Sequence, residues 1–71
     1  MHSSMISITV NGASEQVASA CSVADLLALR GLAGKRVAVE RNGAIVPRSR
    51  HTEIGLAEAD RLEIVVAVGG G

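Results

Sequence analysis

The chain has 71 residues and a mass of 7.2 kDa, with 48% apolar residues, no Phe, Trp or Tyr, and seven basic against seven acidic side chains. Leu, Ile and Val supply 20 of the 71 residues, enough apolar bulk to order the chain, so a disordered protein is excluded. A chain this small buries only about 60% of its extended surface, which predicts one domain over residues 1–71 with one thin core. That leaves no room for a deep substrate cavity with a supporting shell, so a self-contained enzyme is not expected. Zero formal charge and the lack of aromatic rings argue against nucleic-acid binding, which needs a phosphate-neutralising patch or stacking platforms. The longest uninterrupted apolar stretch, residues 64–68, falls far short of the ~20 residues of a membrane span. The Met-His-Ser-Ser start does not resemble a signal peptide, and a single cysteine forms no internal disulfide. These features predict a cytoplasmic domain whose partners are neither nucleic acid nor membrane.

Ile6, Ile8 and Val10 alternate with Ser7 and Thr9, the period of a half-buried strand. Asn11-Gly12 follows, a pair suited to a type I′ hairpin because both central residues need positive φ. A weaker return strand is expected over residues 14–18, with Val17 inward. Ser22 with Asp25 three positions on resembles a capping box. Val23, Leu26 and Leu27 then form an apolar stripe that Arg30 closes at its polar edge, which predicts a helix over 23–30 stopped by Gly31. The period returns to two at Val37 and Val39. Asn42-Gly43 gives a second hairpin, and Ile45-Val46 a short return stopped by Pro47. Residues 48–59 read as irregular, with Ile54 and Leu56 as anchors. Leu62, Ile64, Val66 and Val68 face one way along the last strand, and Val65 and Ala67 on the opposite face are apolar too, so that strand is expected to be central or partly covered on both sides. The order β-β-α-β-β-β predicts an α+β fold: a mixed sheet of four or five strands crossed by one main helix. Its expected core is Ile6, Ile8, Leu26, Leu27, Val39, Leu62 and Ile64. First and last strands are expected to pair.

Few side chains offer chemistry. Cys21 is expected as a buried or half-buried spectator, although a helix N-terminus close by would favour a reactive thiolate. His2 and His51 have no second ligand at metal spacing and read as solvated. Ser22, Ser49 and Thr52 lack a readable base. Arg48, Arg50 and Arg61 read as solvated charge, or at most a small basic patch, and Asp60 and Glu63 as solvated charge. The terminal glycines are different. Three consecutive glycines carry the largest backbone entropy and bury nothing. Having no Cβ, they can thread a narrow channel and present an α-carboxylate, ionised near pH 7, up to roughly 10 Å beyond the domain. The alternative is an incidental, frayed end.

These residues carry a resemblance. A short chain of β-grasp element order ending in Gly-Gly resembles the ubiquitin-like sulfur carriers. More narrowly, Val37-Ala-Val-Glu-Arg-Asn-Gly-Ala-Ile-Val-Pro-Arg-Ser49 and Asp60-Arg-Leu-Glu-Ile-Val-Val-Ala-Val-Gly-Gly-Gly71, with the Asn-Gly turn near the start, are similar to the ThiS family of thiamine-biosynthesis sulfur carriers. The resemblance spans residues 5–71. It implies a carrier rather than a catalyst, with no cofactor bound by the chain and no metal site. An E1-like adenylyltransferase of ThiF type would join the Gly71 carboxylate to AMP using ATP and Mg. Sulfur from a cysteine desulfurase system would replace AMP to give a thiocarboxylate, and thiazole synthase of ThiG type would accept that sulfur. Gly69 and Gly70 would form a flexible functional tail over 69–71, Val65 and Ala67 would belong to a partner-binding face, and residues 1–4 would be a disordered extension ahead of the family's usual start.

Two departures from the family pattern stand out. Ala59 occupies a place where members commonly carry Gly, at which positive φ would cost about 1 kcal/mol. His51 lies near a common Trp, which predicts a looser core. The rival readings are the small subunit of molybdopterin synthase, which also ends in Gly-Gly, a ubiquitin-like binding module with incidental glycines, and an enzyme using Cys21.

Overall fold

The computed structural model describes residues 4–67. The expected tail, Gly69 to Gly71, lies outside them, as do Val68 and residues 1–3 of the expected extension. Its remaining residue, Ser4, accepts a hydrogen bond at 2.9 Å from the Ser19 N–H. The elements are β1 (Met5–Val10), β2 (Ala13–Ala18), α1 (Val23–Leu29), β3 (Val37–Arg41), β4 (Ala44–Val46), a 3-10 turn (Arg48–Arg50) and β5 (Arg61–Val66). They form one mixed five-stranded sheet of order β2-β1-β5-β3-β4. β5 is central, parallel to β1 and antiparallel to β3, so the first and last strands pair as their alternation predicts.

Local chemistry sets each connection. Asn11 and Gly12 have φ of 50° and 85°, and Asn42 and Gly43 have 52° and 86°, the double positive φ of type I′ turns. At the start of α1 the Ser22 hydroxyl accepts the Asp25 N–H while the Asp25 carboxylate accepts the Ser22 N–H, each at 3.0 Å. At its end Gly31, φ 73°, donates to Ala28 O and Leu32 donates to Leu27 O, the paired bonds of a Schellman stop. The Glu15–Arg30 ion pair, 2.7 Å, ties this end of the helix to β2.

One face of the sheet packs on α1. Ile8, Val10, Val17, Val39, Val46, Leu62 and Ile64 join Val23, Leu26 and Leu27 in a single buried cluster that Cys21 and Leu56 complete, with Ile54 packed against it. Two expected inward residues are less covered. Ile6 is half-buried because β1 meets β5 only at Thr9 and Val10, so that β2 is the one strand beside the start of β1. Val66 is exposed because it lies past Ile64, where β1 has already turned away.

Two residues read as solvated are buried instead. The His51 ring packs inside, 7% exposed, with Nε2 3.2 Å from Val46 O, a contact that places the proton on Nε2; its own carbonyl accepts the Ala24 N–H at 2.9 Å. Asp60, 5% exposed, accepts hydrogen bonds from Arg41 Nε (2.8 Å), Ala57 N–H (2.9 Å) and Asn42 Nδ2 (3.1 Å). Both are polar groups whose burial is made tolerable by partners that only the folded chain supplies. Arg48 and Arg50 share the 3-10 turn, and Arg61 begins β5.

Candidate functional site

The last strand and the sheet face turned away from the helix carry the candidate site. Alternation along β5 sends Leu62 and Ile64 into the core and Arg61, Glu63 and Val65 outward. Register then fixes the neighbours: Ala38 opposite Val65, Glu40 opposite Glu63, and Ile45 opposite Glu40 on the far side. Val65 is 64% and Ile45 73% exposed. Ala67 is exposed too, and its N–H donates to Arg36 O at 2.9 Å. The two predicted docking residues therefore lie uncovered on the strand that leads to the glycines.

Beside this apolar strip Glu40 and Glu63 line a shallow depression of about 390 Å³ with Asn42, Gly43 and Arg61. Glu15, Glu53 and Asp60 each have a cation within 4 Å, whereas among the described residues neither Glu40 nor Glu63 does. In the sequence Glu40 carries no signal and Glu63 reads as ordinary solvated charge, because their pairing depends on the β3–β5 register.

Both turn asparagines grip β5. Asn42 donates its N–H to Arg61 O (2.7 Å), accepts the Arg61 N–H on Oδ1 (2.9 Å), and donates Nδ2–H to Asp60. Asn11 donates its N–H to Leu62 O (2.9 Å), then accepts the Ile64 N–H on Oδ1 (2.7 Å) and donates Nδ2–H to Ile64 O (3.1 Å). Its carboxamide thus acts as one further backbone unit of β1.

Among the described residues, side chains that could act as catalysts are not gathered. Cys21 is buried, and burial, reinforced by the Asp25 and Glu15 charges, pushes its thiol above the ordinary range. That disfavours the thiolate and removes the support for a nucleophile there. Ser22 is spent on the helix cap. Among the described residues no group of three His, Cys, Asp or Glu side chains could hold a metal ion, and no helix is long and apolar enough to cross a membrane.

A mixed five-stranded sheet folded over one helix, with its final strand at the centre, places the protein in the β-grasp class of ubiquitin-like domains. The chain superposes on the crystal structure of the thiamine biosynthesis protein ThiS from Geobacter metallireducens with a TM-score of 0.78 and 30% identity, over 93% of this chain and all of that one. The sequence model of the ThiS family matches residues 6–71, and the chain belongs to that family. It is 46% identical to the sulfur carrier protein ThiS of Bacillus subtilis over 50 residues, 70% of this chain and 76% of that one. It is also 38% identical over 64 residues to a thiazole synthase of Paramagnetospirillum magneticum, covering 90% of this chain but only 20% of the synthase. The chain thus spans about a fifth of the length of that relative.

Proposed function

We propose that the protein is the sulfur carrier of thiazole formation in thiamine biosynthesis, a substrate of enzymes rather than an enzyme, acting in the cytoplasm. Membership of the ThiS family across residues 6–71 is the observation that carries this reading, and it favours the thiamine carrier over the molybdopterin-synthase subunit. The thiazole synthase relative, with a matching segment within its own chain, supports thiazole synthase as the acceptor.

In this cycle the Gly71 carboxylate attacks the α-phosphorus of ATP in an E1-like adenylyltransferase and pyrophosphate leaves. The outer sulfur of a persulfide supplied by a cysteine desulfurase then displaces AMP from the acyl carbon, and a thiol reduces the resulting acyl disulfide to the thiocarboxylate. The chain binds no cofactor; ATP and Mg belong to the partner. Adenylation replaces a poor leaving group by a good one, and the resulting thiocarboxylate is a soft nucleophile at neutral pH. The folded domain contributes docking and aim. Val65 and Ala67, with Ala38 and Ile45 beside them, offer an apolar face, and Gly69 and Gly70 offer narrowness where the partner's channel admits only backbone.

Intact-mass measurement after incubation with the adenylyltransferase, ATP, desulfurase and cysteine tests the reading. Replacement of one terminal oxygen by sulfur is expected. An unchanged mass with an active partner enzyme would sink it.

A further inference from the structure

We propose that Asn11, beyond forming its turn, is a positioning residue that aims the end of β5 into the partner's active site; this rests on the carrier reading above. A type I′ turn needs only positive φ at this position, which Asp or Gly would satisfy as well. The carboxamide does something the turn does not require. β1 pairs with β5 only through Thr9 and Val10, and its main chain then departs into the hairpin. Asn11 extends the ladder by one step, occupying both the N–H and the C=O of Ile64 at 2.7 and 3.1 Å. On the other flank β3 follows β5 as far as Val66, and Arg36 O holds the Ala67 N–H.

β5 is therefore held on both sides up to Ile64 and on one side from Val65 to Ala67. Among the described residues Ile64 is the last of β5 tied on the β1 side, and the element that ties it is one side chain. Three residues of extended chain separate Ile64 from Ala67, about 10 Å. A tilt of about 10° at Ile64 would swing Ala67, the point from which the tail departs, by nearly 2 Å. Misplacement by about 1 Å costs on the order of 100-fold in rate. Asn42 makes the equivalent grip at the opposite end of β5, on Arg61 and Asp60, where looseness would not redirect the exit.

The test compares Asn11→Gly with Asn42→Gly. Both keep a glycine-tolerant turn and both remove one carboxamide from β5. For Asn11→Gly, amide exchange at Ile64 should accelerate at least 10-fold while Val39 is unaffected. ATP–pyrophosphate exchange with the adenylyltransferase should lose about 10-fold in kcat with KM for the carrier within 2-fold, because the docking face is intact. Asn42→Gly should lower Tm by a comparable amount or more, and because Asn42 lines the depression beside the docking face any loss of exchange should fall on KM for the carrier rather than on kcat. An unchanged kcat in Asn11→Gly, or equal kcat losses in both variants, would overturn the proposal and leave the carrier reading standing. If the wild-type chain itself supports no exchange, the carrier reading falls, and this proposal with it.

Discussion

Glu40 and Glu63 lie directly opposite each other on β3 and β5, both exposed, with no cation within ion-pair distance among the described residues. Like charges so placed destabilise a sheet, and they sit beside the uncovered Ala38, Ile45 and Val65. A partner surface presenting Arg or Lys side chains would relieve the repulsion on docking. Glu63→Gln should therefore raise stability by about 0.2–0.5 kcal/mol. It should also weaken adenylyltransferase binding and flatten the dependence of that binding on salt. Thermal melts and binding titrations at two ionic strengths check both directions. Val65→Glu, which removes the exposed apolar side chain at the centre of the face, should weaken binding without unfolding the domain.

Ala59 has φ of 70°, and its N–H donates to Ser7 O at 2.7 Å. The left-handed backbone costs an L-residue about 1–2 kcal/mol, partly offset in glycine by its greater freedom when unfolded. Ala59→Gly should stabilise the protein by roughly 0.5–1 kcal/mol, a rise of about 3–6 °C in Tm for a domain of this size. A lower Tm would mean that the Cβ makes contacts that outweigh the strain.

Asp60 links the turn before β5 to β3. Burial alone would raise its carboxyl, but hydrogen bonds from Arg41, Ala57 N–H and Asn42, together with the Arg41 charge, outweigh burial and hold it below the usual carboxylate range. A depressed folded-state value means that the stabilisation is present above the unfolded value of about 3.9 and is lost as pH falls through the folded value. Stability measured by denaturant titration should hold from pH 7 to about pH 5 and decline below about pH 4. In Asp60→Ala that acid decline should shrink, and stability at pH 7 should drop by about 2–3 kcal/mol because three donors lose their acceptor.

The glycine tail should tolerate neither length nor bulk. One residue added after Gly71 shifts the carboxylate by about 3.5 Å, enough to spoil an in-line attack. Gly70→Val preserves length but places a branched side chain where only backbone should fit. Both variants should keep the wild-type Tm and lose ATP–pyrophosphate exchange. Wild-type exchange by either would remove the tail as the reacting group.

Cys21→Ser should leave thiocarboxylation intact, since the thiol is buried and held protonated. In the wild-type protein a thiol reagent at pH 7 should react far more slowly before unfolding than after it. Loss of carrier activity in Cys21→Ser at unchanged Tm would contradict this.

What the sequence determined by itself was everything with a local cause. The two Asn-Gly pairs demand positive φ, Ser22 and Asp25 satisfy each other across one helical turn, Gly31 admits the left-handed stop, and the alternation of Ile8, Val10, Leu62 and Ile64 names the buried face. Each of these follows from residues within a few positions, so it can be read along the chain. The apolar residues on both sides of the last strand left it either central or covered on both faces; the sheet makes it central and leaves Val65 exposed. Only the tertiary structure decided which distant residues meet. Asn11 reaches Ile64, 53 positions away, and Glu40 faces Glu63 only in the observed β3–β5 register. His51 and Asp60 read as solvent-facing because their types usually are, until Val46 at the end of β4 meets His51, and Arg41 of β3 with Asn42 of the turn after it meets Asp60. Polar side chains take their roles from partners that strand pairing supplies, and a one-residue slip in that pairing would reassign them all.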